Sequence, residues 1–494
     1  MIGGQNRNML ENLQPKEVFT FFEEICQIPH GSGNTKQISD YLVKFAKDRN
    51  LEYIQDELNN VIMIKEATEG YETEEPIIIQ GHMDMVAVKE ADCPIDMEKD
   101  GLELIVSGDD VYAKGTSLGG DDGIAVAYAL ALLDSDSIPH PRLEVVITVD
   151  EEVGMDGALF IDLSMLKGKK LLNIDSEKQG ELTVSCAGGV RVNGCFSHVF
   201  EKLSPKAETV TCKLEISGLT GGHSGVEIHH GRANANMLLG NLLYDLNREV
   251  HFVLVSIQGG TKDNVIPSNA DAEFVLDKND YERMKELVSK REDDWKEKFK
   301  TTDSGLKVAV TTIDTKEETS VVRTDVQKNI LNFLNTAKNG VQAMCEELPD
   351  LVETSLNLGV IRTNGENIDI AFSLRSSKKD SKVELSEAVC DHFKQAGAEV
   401  ELTADYPAWE LKKDSKLVGQ MCELYEEMFG EKPIVLSIHA GLECGVLADK
   451  IEGLDSVSFG PNLYDIHTTK ERLSISSTKQ MWDYLVALVQ KKEA

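Results

Sequence analysis

The sequence predicts an α/β protein in which a doubly wound, mixed-sheet catalytic domain is interrupted by an α+β lid domain. Three observations carry that prediction. Apolar, strand-like runs end abruptly in histidine or carboxylates at 77–84, 143–152 and 170–175. An almost wholly apolar stretch, 123–133, follows a glycine-rich turn and marks a buried helix between two of those strands. From about residue 188 the chain changes to alternating strands and long helices, and it changes back at Tyr406-Pro-Ala-Trp409. Strand, acid and helix in repetition point to an open sheet with a ligand site at its strand ends. The expected division is a catalytic domain over 1–187, a lid and dimerisation domain over 188–403, and the rest of the catalytic domain over 404–494.

In order along the chain, Val18, Phe19, Phe22 and Ile25 lie on one helical face within 15–27, and Pro29-His-Gly-Ser-Gly33 ends that helix. A second helix is expected over 35–48, and a strand over 59–64. An acidic turn at 66–75 precedes the strand of Ile77, Ile78 and Ile79. In an extended segment residues i and i+2 point to the same side, so His82 and Asp84 can face one site at the end of that strand. Short strands are expected at 102–106 and 111–113, before the glycine-rich turn 115–122 and the buried helix. The β-branched run 143–149 leads straight into Asp150-Glu-Glu152, and 170–175 repeats the pattern. In the lid, strands at 209–217, 252–258 and 368–375 combine with helices at 231–246 and 278–298. A helix over 415–429 and a strand over 433–438 return to the style of the first domain, with His439 and His467 on turns.

The totals exclude several functions. A chain of 494 residues exceeds one ordinary core. No apolar run approaches the roughly 18–20 residues of a membrane span. Met1 to Arg7 lack the basic-then-apolar order of a secretory signal, so a cytoplasmic location is expected. Nine scattered cysteines without a Cys-x-x-Cys pair read as reduced thiols. A formal charge of −34, from 85 acids against 51 bases, repels nucleic acid and anionic membranes. Such a field favours cations and neutral or amine-bearing ligands.

His82, Asp121 or Asp122, one of Glu151 and Glu152, Asp175 and a late histidine supply mixed nitrogen and oxygen ligands. That chemistry suits zinc, cobalt or manganese better than calcium. Two metals sharing a bridging carboxylate would use about five protein ligands. Two adjacent glutamates on a turn can divide the work, one binding metal and the other taking a proton from water. Read alone, the same run is a charged turn capping the next helix. A rival pattern, Gly115-Thr-Ser-Leu-Gly119, fits a nucleophile elbow with Ser117 at its tip, although the strand before it is short and polar. Pro29-His-Gly-Ser-Gly33 lacks a phosphate-loop lysine. His223 stands on a glycine-rich loop, Arg375 could clamp a carboxylate, and the turn from His439 to Glu443 has no assigned role.

Taken in order, Gly81-His-Met-Asp84, Leu118-Gly-Gly-Asp-Asp-Gly123, the acidic run 150–157, Asn173-Ile-Asp175, Gly221-Gly-His-Ser-Gly225 and Asp465-Ile-His467 resemble the motif series of the dinuclear zinc aminoacylase/carboxypeptidase clan. Ile438-His-Ala-Gly-Leu-Glu-Cys-Gly445, the Asp-Ser-Glu run at 175–177 and the large insertion are most similar to the aminoacyl-histidine dipeptidases, also called cytosolic nonspecific dipeptidases. The resemblance implies that His82, Asp121, Glu152, Asp175 and His467 bind two Zn²⁺, with Asp121 as the bridge and Co²⁺ or Mn²⁺ as substitutes. It makes Glu151 the general base and Asp84 the orienter of His82. His223 would polarise the scissile carbonyl, and Asn264 and Arg375 would contact the carboxyl end of a dipeptide. A homodimer is expected. Asp122 stands where many relatives have asparagine, so the bridge could slip by one residue. The implied activity is hydrolysis of dipeptides, Xaa-His and broader Xaa-Xaa. Its alternatives are an N-acyl amino acid deacylase of the same clan, a serine hydrolase using Ser117, and a non-catalytic metal- or peptide-binding protein.

Overall fold

The computed structural model describes residues 9–203, 208–314, 319–345 and 351–492. The N-terminal stretch that argued against a secretory signal lies outside them. The chain divides into two compact units. Unit 1 comprises Met1–Cys186, Trp409–Ser437 and Leu442–Ala494, and unit 2 comprises Ala187–Ala408 and Ile438–Gly441.

Unit 1 is built on an eight-stranded mixed sheet. Its strands are β1 (Glu52–Gln55), β2 (Val61–Lys65), β3 (Ile77–His82), β4 (Leu143–Thr148), β5 (Lys170–Asn173), β6 (Glu181–Cys186), β7 (Ile434–Ile438) and β8 (Asp455–Ser458). The spatial order is β1-β2-β4-β3-β5-β8-β6-β7. β3 runs parallel to β4 and β5, and β5 parallel to β8, whereas the β1–β2, β2–β4 and β8–β6 pairs are antiparallel. The central β3 and β4 are buried at every position, which is why they read as continuous apolar runs and not as alternating ones. The sequence suggested that β3 stops at Ile79. It continues because pairing runs on to His82↔Thr148 and Gln80↔Asn173. His82 is therefore the last paired residue of a central strand and has little freedom.

The α-helices of unit 1 with eight or more residues are α1 (Lys16–Cys26), α2 (Lys36–Asp48), α3 (Gly120–Asp134), α4 (Lys416–Phe429), α5 (Glu443–Lys450) and α6 (Ile475–Gln490). α3 is buried along almost its whole length, as an apolar helix between layers must be. Its approach to β3 needs a glycine. A Cβ at Gly81 would stand 2.5 Å from Asp122 Oδ2 and 2.6 Å from Ala125 Cβ. Phe19, Phe22 and Ile25 of α1 join the core around α3, and Tyr128 stacks on Trp482 of α6 with centroids 5.8 Å apart. The short strands Leu104–Ser107 and Asp110–Ala113 pair with each other, and Arg472–Ser474 extends them into a separate small sheet.

Unit 2 has its own core and a nine-stranded antiparallel sheet. Ala235–Glu249, Tyr281–Lys298, Thr324–Thr336 and Lys379–Ala396 are its long helices. The edge strand Glu399–Tyr406 pairs with Gly188–Phe196 out to Tyr406↔Gly189, so the sheet continues past residue 403. Residues 438–441, with His439, also group with unit 2.

Candidate metal centre

The site in unit 1 is assembled from the carboxyl ends of β3, β4 and β5, the start of α3 and the turn before Arg472–Ser474. His82 leaves β3 buried, and its Nδ1 lies 2.9 Å from the backbone oxygen of Asp84. A carbonyl only accepts, so Nδ1 carries a proton, and Nε2 is the nitrogen that would be offered to a metal in exchange for its own proton. Nε2 faces Asp121 Oδ1 at 3.2 Å and Asp175 Oδ1 at 3.8 Å. The other oxygen of Asp121 lies 3.2 Å from Nε2 of His467, and Glu152 Oε1 lies 2.9 Å from the same nitrogen. One carboxylate thus stands between two imidazoles.

Local backbone explains how neighbouring acids reach one place. Asp121 and Asp122 leave the helical region at the head of α3, and regular helix follows. That break aims Asp121 at the two histidines. Asp122 turns the other way and accepts the backbone N–H of His82 at 3.1 Å. Of the two aspartates, Asp121 is the one that lies between the imidazoles. After β4, Asp150 takes a left-handed conformation at φ 57° and starts the 3₁₀ turn Glu151–Val153. The turn lets both glutamates face His82.

Among the described residues, three triads of side chains bring ligand atoms within 4.8 Å of one another: His82, Asp121 and Asp175; Asp121, Glu152 and His467; and His82, Glu151 and Glu152. The first two share Asp121. Together they offer two imidazole nitrogens and three carboxylates, a donor set that fits two divalent ions of borderline softness. The electrostatics fit cations as well. Burial, then the charges of Asp175 and Glu152, hold the Glu151 carboxyl well above its usual range. Burial, opposed by His82 but aided by Asp121 and Glu152, pushes Asp175 up to about 6. Burial would lower the two histidines, but the hydrogen bonds they donate to Asp121 and its neighbouring carboxylates outweigh it, raising His82 well above the ordinary value and His467 to about 11. Four acids sharing a small buried volume with two bases leave an excess of negative charge for a cation to neutralise.

Three expectations change in detail. Asp84, the expected orienter of His82, meets its Nδ1 by the backbone oxygen, with Oδ1 farther off at 3.5 Å. The carboxylate instead accepts from Ser32 Oγ at 2.8 Å and from the Glu151 N–H at 3.1 Å, so it also positions the second glutamate turn. Ser117 is fully buried, and its hydroxyl donates to the Val86 carbonyl at 2.7 Å. No histidine hydrogen-bonds to it among the described residues, so it ties a loop and is no exposed nucleophile. Glu443, left without a role, is fully buried beneath the site, where it accepts from Thr148 Oγ1 at 2.6 Å and from Gln80 Nε2. Burial pushes its carboxyl up to about 8.

The remaining candidates lie in unit 2. His223 Nδ1 accepts from the N–H groups of Gly225 at 3.2 Å and Val226 at 3.3 Å, which places its proton on Nε2. The backbone oxygen of Asn264 accepts from Ser224 N–H at 2.9 Å, putting Asn264 beside the His223 loop. Arg375 is nearly buried, donates to Tyr406 Oη at 2.9 Å, and has an Nε without a hydrogen-bond partner among the described residues. Burial and the Arg375 charge push the nearby His439 down to about 3, and its Nε2 lies 2.7 Å from Ser355 Oγ.

Comparison with known proteins places the chain in a family. The family model of peptidase family M20/M25/M40 matches residues 78–491. The chain is 34% identical over 485 residues to the cytosol non-specific dipeptidase of Escherichia coli (strain K12), spanning 98% of this chain and 99% of that one. Among solved structures, an aminoacylhistidine dipeptidase from Vibrio alginolyticus matches with a TM-score of 0.86 at 34% identity, covering 99% of each chain. The aminopeptidase PepT from Bacillus cereus matches with a TM-score of 0.55 at 17% identity over 97% of this chain and 98% of that one, a likeness of fold alone.

Proposed function

The chain belongs to peptidase family M20/M25/M40, and from that premise we propose that it is a dipeptidase working with two zinc ions held in unit 1. One observation carries the reading: two ligand triads share Asp121, while Glu151 stands beside them in neither. Dipeptides as substrates, Xaa-His among them, follow from the relatives in Escherichia coli and Vibrio alginolyticus, each 34% identical over nearly the whole chain. Bound zinc, or Co²⁺ or Mn²⁺ on the same donors, would supply Lewis acidity to the attacking water and the scissile carbonyl.

The protein's own groups supply the rest. His82 and His467 would hold the ions through ring nitrogens, Asp121 would be shared between the two, and Asp175 and Glu152 would complete one triad each. Glu151 accepts a proton as water attacks the peptide carbonyl, and returns it to the leaving amine as the C–N bond breaks. In unit 2, the Nε2–H of His223 is the donor for the carbonyl oxygen, and Asn264 and Arg375 receive the substrate carboxylate. The protein works in the cytoplasm as a homodimer formed through unit 2. Its nine free cysteines suit a reducing compartment.

The test joins activity to metal content. Glu151→Gln should lower kcat by about 10²–10⁴-fold while zinc stays near two per chain, and an active variant would refute the role of Glu151. A free dipeptide assayed against its N-acetyl analogue, on chelated protein restored with zinc, cobalt or manganese, separates dipeptidase from deacylase.

A further inference from the structure

At the start of α3 four backbone N–H groups converge on one carboxylate that belongs to none of the ligand triads. Glu471 Oε2 accepts from Leu118 at 2.8 Å and Gly119 at 3.1 Å, and Oε1 from Gly120 at 2.8 Å and Asp121 at 3.3 Å. Glu471 is only 3% exposed. The approach is close, for a Cβ on Gly120 would stand 3.3 Å from Oε1 and 2.5 Å from a Leu463 methyl. These donors need an outside acceptor because the helix has not yet begun. Asp121 sits at φ −83°, ψ 106°, and the first helical bond here runs from Gly123 N–H to Gly119.

The acceptor comes from the segment that carries His467. Three residues lie between the two in sequence, and a turn there is closed by Glu471 N–H to the Thr468 oxygen at 3.2 Å. His467 meets Asp121 through its side chain at 3.2 Å, and Glu471 meets it through its backbone at 3.3 Å. Burial and the Asp121 charge push the Glu471 carboxyl upward, and the N–H groups of Leu118, Gly119 and Asp121 pull it back. Two oxygens with two donors each are the arrangement of a carboxylate. A glutamine would turn an NH₂ group against two of those N–H groups.

We infer that Glu471 is a positioning residue for the dinuclear site: its carboxylate clamps the 118–121 backbone and holds Asp121 between His82 and His467. The inference rests on Asp121 being the shared ligand. Zinc binding therefore depends on a residue that touches no metal, and losing the clamp loosens the bridge before it unfolds the protein.

The experiment is calorimetric titration of Zn²⁺ into metal-free full-length protein, wild type and E471Q, with bound metal counted after dialysis and dipeptide hydrolysis followed against free zinc. Wild type should take up two ions. E471Q should bind at least one of them tenfold or more weakly, lose activity at limiting zinc, and recover most of it in excess zinc. Recovery by metal is the signature, since a general loss of fold would not be repaired by it. E471Q with wild-type stoichiometry and affinity overturns the inference and leaves the two-zinc reading standing. Wild type binding no zinc overturns both. Should E471Q fail to fold, E471D carries the test: it keeps the charge, retracts it by one methylene, and must also weaken zinc, or the inference fails.

Discussion

Glu151 and Glu152 are the same residue twice, and their surroundings make them different. Glu152 Oε1 lies 2.9 Å from His467 Nε2, whereas the Glu151 backbone is held by Asp84 and its carboxylate groups with His82 and Glu152. The neighbouring pair His82 and Asp84 divides in the same way, and the division can be measured. His82→Ala removes the only nitrogen of its triad and should cost one bound ion per chain. Asp84→Asn leaves the backbone oxygen that holds Nδ1 at 2.9 Å in place, so metal should stay. The neutral amide no longer matches the charge that receives Ser32 Oγ and Glu151 N–H, so kcat should fall, by about 10- to 100-fold on the precedent of such supporting carboxylates. Metal analysis alongside kcat decides; loss of zinc in Asp84→Asn would return the carboxylate to direct support of the imidazole. The spacing of His82 and Asp84 was legible in the sequence because a strand puts i and i+2 on one side. That a backbone oxygen is the nearer partner was not, because it depends on how the chain turns after β3.

At the scale of elements, the strand ends form a connected layer beneath the proposed ligands. Gln80 and His82 share a face of β3, opposite the Gly81 face that α3 covers. Asn173 at the end of β5 donates to Gln80 Oε1 at 2.6 Å, while Gln80 and Thr148 both donate to Glu443 at the head of α5. One carboxyl group thus ties β3, β4 and, through Gln80, β5, the three strands that lead to His82, Glu151 with Glu152, and Asp175. Removing it in Glu443→Ala strands two buried donors, at about 1–3 kcal/mol each. Glu443→Gln should be tolerated, since a group pushed up to about 8 is neutral at pH 7. The sign can be worked out for the metal-free protein. A carboxyl raised from 4.5 to about 8 contributes stability present in full below pH 4.5 and lost as pH rises through about 8. The melting temperature of Glu443→Gln should therefore gain on wild type across that window; a constant difference would mean that Glu443 is ionised in the fold. Strands ending in acids could be read from sequence because each carries its pattern within ten residues. Glu443 and Glu471 could not, because a glutamate on a turn has no pattern, and their partners lie 363 and up to 353 residues away.

For the whole molecule, the split of the chain sets where metal binding is felt. His82, Asp121, Glu151, Glu152, Asp175 and His467 all belong to unit 1, and unit 2 folds around a separate core of its own. An ion that binds the native unit and not the unfolded chain stabilises that unit by about 2.7 kcal/mol when present at a hundred times its Kd. Unit 1 also holds the uncompensated acids, so chelation both removes that stabilisation and restores their repulsion. Calorimetric melting of the holoprotein before and after chelation should therefore show one transition displaced to lower temperature and a second nearly unmoved. Restored zinc should return the first, and restored magnesium, with its preference for all-oxygen octahedral sites, should not. A single transition that moves as a whole would show that the two cores melt together. No displacement at all would remove the metal centre from unit 1 and, with it, the proposed chemistry.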